Sequence, residues 1–232
     1  MYKLVSFDVN GVLTPDLTMA KLAGLAGNYD KAVKILKLQT SGKKSLKNTF
    51  QELGKLTKDV SLKGSIEYSN KMPLTKGAEE LIHTLIKNDC VMALNTTGYS
   101  LTMHVLNHRL KINNRLPFDI IACNILVFTK NNKKITERQL MCLIDEYFKY
   151  PNLKKFKGIK CNGTIKLNID KESKKVSFIK KWSEILKVQL CEVVHVGDSI
   201  GDSEAIKFVA ENNGLGIAFN PNKELQKFIK KQ

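Results

Sequence analysis

Long apolar runs are absent from this chain. No stretch of its 232 residues approaches the roughly 18 that a membrane-spanning helix needs. The first residues, M-Y-K-L-V-S-F-D, meet an acid after a short apolar stretch, which does not fit a signal peptide. The expectation is a soluble, cytoplasmic protein without a membrane partner. Cysteine is sparse and dispersed: Cys90, Cys123, Cys142, Cys161 and Cys191 form no C-x-x-C pair. An odd count at wide spacing argues against a disulfide framework and against a zinc site. Low-complexity tracts and internal repeats are absent too. Arginine is scarce, at three residues against 35 lysines, so the best base-reading side chain is nearly missing.

What is present is a chain with 43% hydrophobic residues, enough for a core, and a formal charge of +16. Such a balance favours anionic partners. The lysines are scattered, however, with clusters only at 130–134, 154–160 and 171–175. A solvated Lys-rich surface accounts for this charge at least as well as a nucleic-acid footprint, and charge alone does not decide function. A small phosphorylated substrate becomes the favoured partner, with nucleic acid the weaker alternative, only through the residues at the strand ends.

Apolar runs alternate with amphipathic stretches. Residues 2–7, 90–95, 118–123, 191–196 and 215–219 read as buried strands. Residues 77–87, 176–186 and 202–210 carry apolar positions at helical spacing. Strands alternating with helices imply right-handed βαβ units, hence an α/β fold with a doubly wound, Rossmann-like parallel sheet. Ligands then bind beyond the carboxyl ends of the strands. Residues 16–72 break the alternation and read as helical throughout. Residues 125–170 form a basic extension with a hairpin-like K-N-N-K-K and a helix near 136–149. The expected division is a core of 1–15 and 73–232 with a helical insertion of 16–72.

Candidate chemistry stands at the strand ends. Asp8 follows the first strand, Thr96 and Thr97 follow V-M-A-L-N, and Lys175 precedes V-S-F-I-K-K-W. Asp198 and Asp202 sit in G-D-S-I-G-D. Each alone is an ordinary cap or turn residue. Lys174 competes with Lys175, and His195, inside V-V-H-V, reads as a core histidine. His83, His104 and His108 have no acid at ligand spacing. Together, a carboxylate nucleophile, hydroxyls, a lysine and an acid pair suit phosphoryl transfer.

In that order the residues resemble the haloacid dehalogenase superfamily, and most of all its phosphoserine-phosphatase-like branch. F-D-V-N-G-V-L-T is similar to the first motif D-x-D-G-x-x-T, A-L-N-T-T-G-Y to the second, K-V-S-F-I-K-K-W to the third and V-G-D-S-I-G-D-S to the fourth. The resemblance implies a Mg²⁺-dependent phosphomonoesterase acting through an aspartyl-phosphate on Asp8. Thr96, with Thr97 beside it, and Lys175 would hold the phosphate. Asp8, the backbone carbonyl of Asn10 and Asp198 would hold the metal, with Asp202 in support. The insertion of 16–72 falls where the family places its cap.

Two departures stand out. The second aspartate of the first motif is Asn10, and an amide cannot shuttle the proton that the family's aspartate does. A slow phosphatase, a phosphate-binding or partner-binding protein that lost turnover, and a substitution introduced to trap an intermediate all fit. The branch's cap glutamate aligns with Leu17, with Asp16 one residue off, and the stretch matching its substrate-binding arginine, G-K-K-S-L-K-N-T-F-Q-E-L, has none. Phosphoserine is therefore not the expected substrate. The basic extension, with Tyr147, Phe148, Tyr150 and Phe156 among lysines, reads as a solvated excursion or ordinary helix packing. An anion-docking surface or a nucleic-acid end-processing role is the alternative.

Overall fold

The computed structural model describes residues 1–231. Seven strands form one sheet: β1 (Leu4–Phe7), β2 (Val91–Tyr99), β3 (Ile120–Lys130), β4 (Lys133–Lys134), β5 (Lys160–Lys166), β6 (Val193–Gly197) and β7 (Leu215–Ala218). Their order is β4-β3-β2-β1-β6-β7, with β5 paired to β3. β1, β2, β3, β6 and β7 run parallel, while β4 and β5 lie antiparallel on β3. The fold is thus α/β with a doubly wound parallel core. The strand order reverses at β1, which is flanked by β2 and β6, and this is where a doubly wound sheet opens a crevice. The second expected strand and the third both run longer than their apolar cores suggest. β3 continues seven residues past Cys123, because its second half finds new partners in β4 and β5.

Alternate residues of the strands feed opposite faces. Val5 and Phe7 pack with Met92, Leu94, Val194 and Val196 under α5 (Ala78–Lys87) and α6 (Ser100–Arg109). Leu4, Ala93 and Val193 pack with Ile179 and Trp182 of α8 (Ser173–Leu186) and with Ala205 and Val209 of α9 (Ser203–Glu211). Trp182, the only tryptophan in the chain, stacks on Phe178 with ring centroids 5.7 Å apart. α10 (Lys223–Ile229) closes the chain, started by the Asn222 side chain, which accepts from the Leu225 amide.

Residues 18–71 supply α1 (Thr18–Gly24), α2 (Tyr29–Thr40), α3 (Leu46–Leu56) and α4 (Leu62–Lys71). Ser45 and Ser61 start α3 and α4 by accepting from amides three residues on. α7 (Glu137–Lys149), opened by a capping box of Thr136 and Gln139, lies in the basic extension. The four helices share one apolar cluster with that extension: Phe50, Leu53 and Ile66 meet Phe128, Ile144 and Phe156. Backbone hydrogen bonds join them as well. Asp59 N donates to Cys161 O (2.9 Å), Cys161 N to Val60 O (2.8 Å) and Leu62 N to Ile159 O (3.0 Å). Among the described residues no helix is long and apolar enough to cross a membrane.

Candidate functional site

The chain leaves the sheet at Asp8, whose amide still donates to Val196 O of β6 at 2.8 Å. Two glycines then let two loops meet. Gly11 has φ +77°, and a Cβ there would fall 2.2 Å from Asp198 Oδ2. A Cβ on Gly197 would fall 2.3 Å from Asp202 Cβ. No side chain fits either position, so Asp8, Asp198 and Asp202 converge, each with a carboxylate oxygen within 4.8 Å of the others.

Lys175, on α8, reaches into this acid cluster. Its Nζ lies 2.5 Å from Asp202 Oδ1 and 3.4 Å from Asp8 Oδ1, and all three side chains are buried. Lys174 beside it is only half-buried. Two buried amides hold this part of the chain in place. Asn95 of β2 donates to Lys175 O at 3.0 Å, and Asn124 of β3 accepts from the Asn168 and Ile169 amides at 2.9 Å each.

The charges are unevenly satisfied. Burial opposes ionisation of Asp202, but the ammonium of Lys175 and the neighbouring His195 outweigh it and hold the carboxyl well below its usual range. Burial also disfavours charge on Lys175, and Asp202 and Asp8 overcome it and push the ammonium up. Asp8 is farther from the lysine. Its burial prevails, with help from Asp202, and its carboxyl is raised. Asp198 is pushed up to about 7 by burial and by the charges of Asp8 and Asp202. Asp8 Oδ1 is buried with no hydrogen-bond partner. Crowded carboxylates with one cation for three acids are a site short of positive charge. They suit a hard divalent cation with oxygen ligands.

Asp202 is the most constrained of the three acids. Its Oδ2 accepts from the Ser199 hydroxyl at 3.2 Å. His195 Nε2 stands 3.4 Å from its Oδ1, while His195 Nδ1 faces Ser6 Oγ at 3.1 Å. His195 is fully buried. Thr96 is also fully buried, beside the Asp8 carboxyl, and its hydroxyl accepts from the Gly98 amide at 3.1 Å. Thr97 instead faces the cavity.

Asn10 has a defined orientation. Its Oδ1 accepts from the Thr18 amide at 3.2 Å and from the Thr18 hydroxyl at 2.8 Å. A backbone N–H can only donate, so the amide oxygen must face Thr18. The NH₂ group is left to act as a donor and never as an acid or base.

A small, partly enclosed cavity of about 50 Å³ lies over Asp8, Thr97 and Lys175, and Gln39, Thr40 and Leu46 line it from α2 and α3. It suits a phosphate-sized group: a single water needs roughly 10–15 Å³ on the same measure. A more open groove of about 480 Å³ adjoins it and shares Gln39, Thr40, Glu172 and Ile200 as common wall.

Sequence reasoning did not single out Asn95, Asn124, Glu172 or Ser199. The two asparagines carry a usable signal, a polar amide inside a run of strand-forming apolar residues. Glu172 and Ser199 carry none beyond proximity to Lys175 and Asp198. His108 pairs with Asp145 of α7, 2.5 Å away and 37 residues along the chain. Tyr147 packs edge-on against Phe156, and Phe148 stacks on His108, so these aromatics serve internal packing. Cys90, Cys123 and Cys161 are buried and Cys142 and Cys191 exposed.

No family model matches the sequence. The chain is 24% identical over 217 residues to a phosphoserine phosphatase of Methanocaldococcus jannaschii, spanning 94% of this chain and 85% of that one. It is 26% identical over 216 residues to a phosphoserine phosphatase of Lactococcus lactis, spanning 93% and 82%. Among solved structures, a phospho-aspartyl intermediate analogue of phosphoserine phosphatase superposes with a TM-score of 0.74 at 23% identity, covering 98% of this chain and 90% of that one. A hydrolase of the HAD family from Salmonella enterica superposes at 0.73 and 14% identity, covering 97% and 65%.

Proposed function

From the premise its relatives support, a place in the phosphoserine-phosphatase-like branch of the haloacid dehalogenase superfamily, we propose that this chain is a Mg²⁺-dependent phosphomonoesterase acting through Asp8. The carrying observation is the buried Asp8 carboxylate on the wall of a phosphate-sized cavity, its Oδ1 3.4 Å from the Lys175 ammonium and the Asp198 and Asp202 carboxylates beside it. An Asp8 carboxylate oxygen attacks phosphorus and an aspartyl-phosphate forms. Lys175 and Thr97 hold the non-bridging oxygens, where charge gathers as the ester bond breaks. Thr96 braces the nucleophile. Asp8, Asp198 and the Asn10 carbonyl would hold Mg²⁺, which when bound offsets the repulsion between Asp8 and an anionic phosphate. Asp202, committed to Lys175, keeps that ammonium in place. The four helices α1–α4 act as the cap that shuts out water.

Asn10 makes this enzyme slow. Losing a general acid/base costs about 10²–10⁴-fold. Phosphoserine is not the preferred substrate, because the cap presents only Gln39, Thr40 and Leu46 to the cavity, Leu17 is exposed, and residues 16–72 contain no arginine to meet a carboxylate. The test is Mg²⁺-dependent hydrolysis of p-nitrophenyl phosphate and phosphoserine by the protein, Asp8→Ala and Asn10→Asp. Turnover above Asp8→Ala, raised at least tenfold by Asn10→Asp and no better on phosphoserine, supports the proposal.

The fixed amide of Asn10 favours a second reading, a protein that binds a phosphate ligand without turning it over. Activity confined to Asn10→Asp would select it. A nucleic-acid end-processing role has no comparable support, and absence of a gel shift at low salt would end it.

A further inference from the structure

A phosphomonoesterase working through Asp8 has to protonate the leaving oxygen, and Asn10 cannot supply that proton. We propose, on the footing of the phosphatase reading, that Glu172 supplies it and later takes one back from water. Of the residues lining the small cavity, three ionise: Asp8, Lys175 and Glu172. Asp8 is the attacking group. Lys175 is held as an ammonium between two carboxylates. Glu172 alone is left to exchange a proton.

Its position fits the task. Glu172 lines both the phosphate-sized cavity and the outer groove, on the wall they share with Gln39, Thr40 and Ile200. A monoester with its phosphate inside and its alcohol outside places the bridging oxygen at that junction. Glu172 stands at the start of α8, three residues before Lys175, yet its side chain caps no helix amide. Its carboxyl is free for the cavity, since the lysine is taken by Asp202 and Asp8. Partial burial, the charges of Glu204 and Asp202, and only a lesser opposing pull from Lys175 raise its carboxyl, so it more readily holds the proton it has to give. Glu224 lines only the outer groove, and Asp16 receives the Tyr68 hydroxyl at 3.1 Å; neither is on the wall of the small cavity.

The steps balance. Asp8 forms a bond to phosphorus as the ester P–O bond breaks, and the leaving oxygen takes the Glu172 proton to depart as alcohol. Water then attacks phosphorus, its proton returns to the Glu172 carboxylate, and the Asp8–phosphorus bond breaks to release inorganic phosphate.

The experiment compares kcat/KM, which reports the steps through attack by Asp8, for the protein, Glu172→Gln, Asn10→Asp and the double variant, with Mg²⁺. The substrates are p-nitrophenyl phosphate, whose phenolate leaves unaided, and β-glycerophosphate, whose alkoxide needs a proton. Glu172→Gln should lose about 10²-fold on β-glycerophosphate and less than about tenfold on p-nitrophenyl phosphate. The double variant should recover β-glycerophosphate turnover, which also shows that Glu172→Gln leaves the fold intact. Equal losses on both substrates, or no loss, overturn the role of Glu172 while leaving the phosphatase reading standing. Activity in Asn10→Asp but not in the parent also overturns it. Silence from both the parent and Asn10→Asp overturns the two together.

Discussion

Lys175 is the single cation among Asp8, Asp198 and Asp202, and its removal tests the balance directly. Lys175→Met would leave Asp202 and Asp8 buried without compensation. Breaking a buried pair from one side costs about 3–5 kcal/mol. The expected result is a matching fall in the urea-unfolding free energy, partly reversed by millimolar Mg²⁺. A variant as stable as the parent without Mg²⁺ would show that the cluster is already neutral. Asp8, Lys175, Asp198 and Asp202 were all legible in the sequence, because each ends a strand or opens a helix within a few residues of a recognisable run. Asn10 was legible as a difference, though its orientation was not, since that depends on Thr18 eight residues away. Glu172 was invisible: it stands on a wall shared by two cavities, and no local pattern encodes that.

At the scale of the element, α6 and α7 show what helical spacing can and cannot say. The helix expected near 136–149 lies close to the observed α7, while the Thr136–Gln139 box that opens it was not anticipated. That it packs on α6 was not readable, nor that Asp145 reaches His108. His104, on the same helix as His108, is lowered from 6.5 to about 4 by burial and by the neighbouring His108, against the pull of Asp145. It stays neutral in the folded protein while the unfolded chain takes up a proton below pH 6.5. Stability therefore falls as pH drops from 6.5 towards 4, with no further loss from this group below that. Between pH 7 and 5 the difference is up to about 2 kcal/mol. Urea midpoints for the protein and His104→Gln at both pH values measure it. A pH slope unchanged by the substitution would rule out this histidine as its source.

Across the whole molecule, the parallel sheet and the strand-end placing of Asp8, Thr96 and Asp198 follow from the alternation of apolar runs and amphipathic stretches, but the joining of helices α1–α4 to the extension does not. Residues 16–72 and 125–170 each read as a separate departure from the alternation. The structure ties them through the amides of Asp59, Leu62 and Cys161 and through a shared apolar cluster. Contacts about a hundred residues apart leave no local trace in composition or period. Amide exchange should then find Leu62 and Cys161 protected together, opening only with the body of the fold, while the α2–α3 connection at 41–45 exchanges fast. Independent, fast exchange at Leu62 would mean that the four helices swing free of β5.

The lone tryptophan turns this architecture into its own optical gauge. Trp182 lies on α8 seven residues after Lys175, on the same face of the helix, and it is buried against the sheet. A ligand that draws Lys175 towards the cavity pulls on the helix that carries the fluorophore. Occupancy of the site should therefore be read as a change in emission colour or intensity from the unlabelled protein, in stopped flow as well as at equilibrium, with no competing indole to mask it.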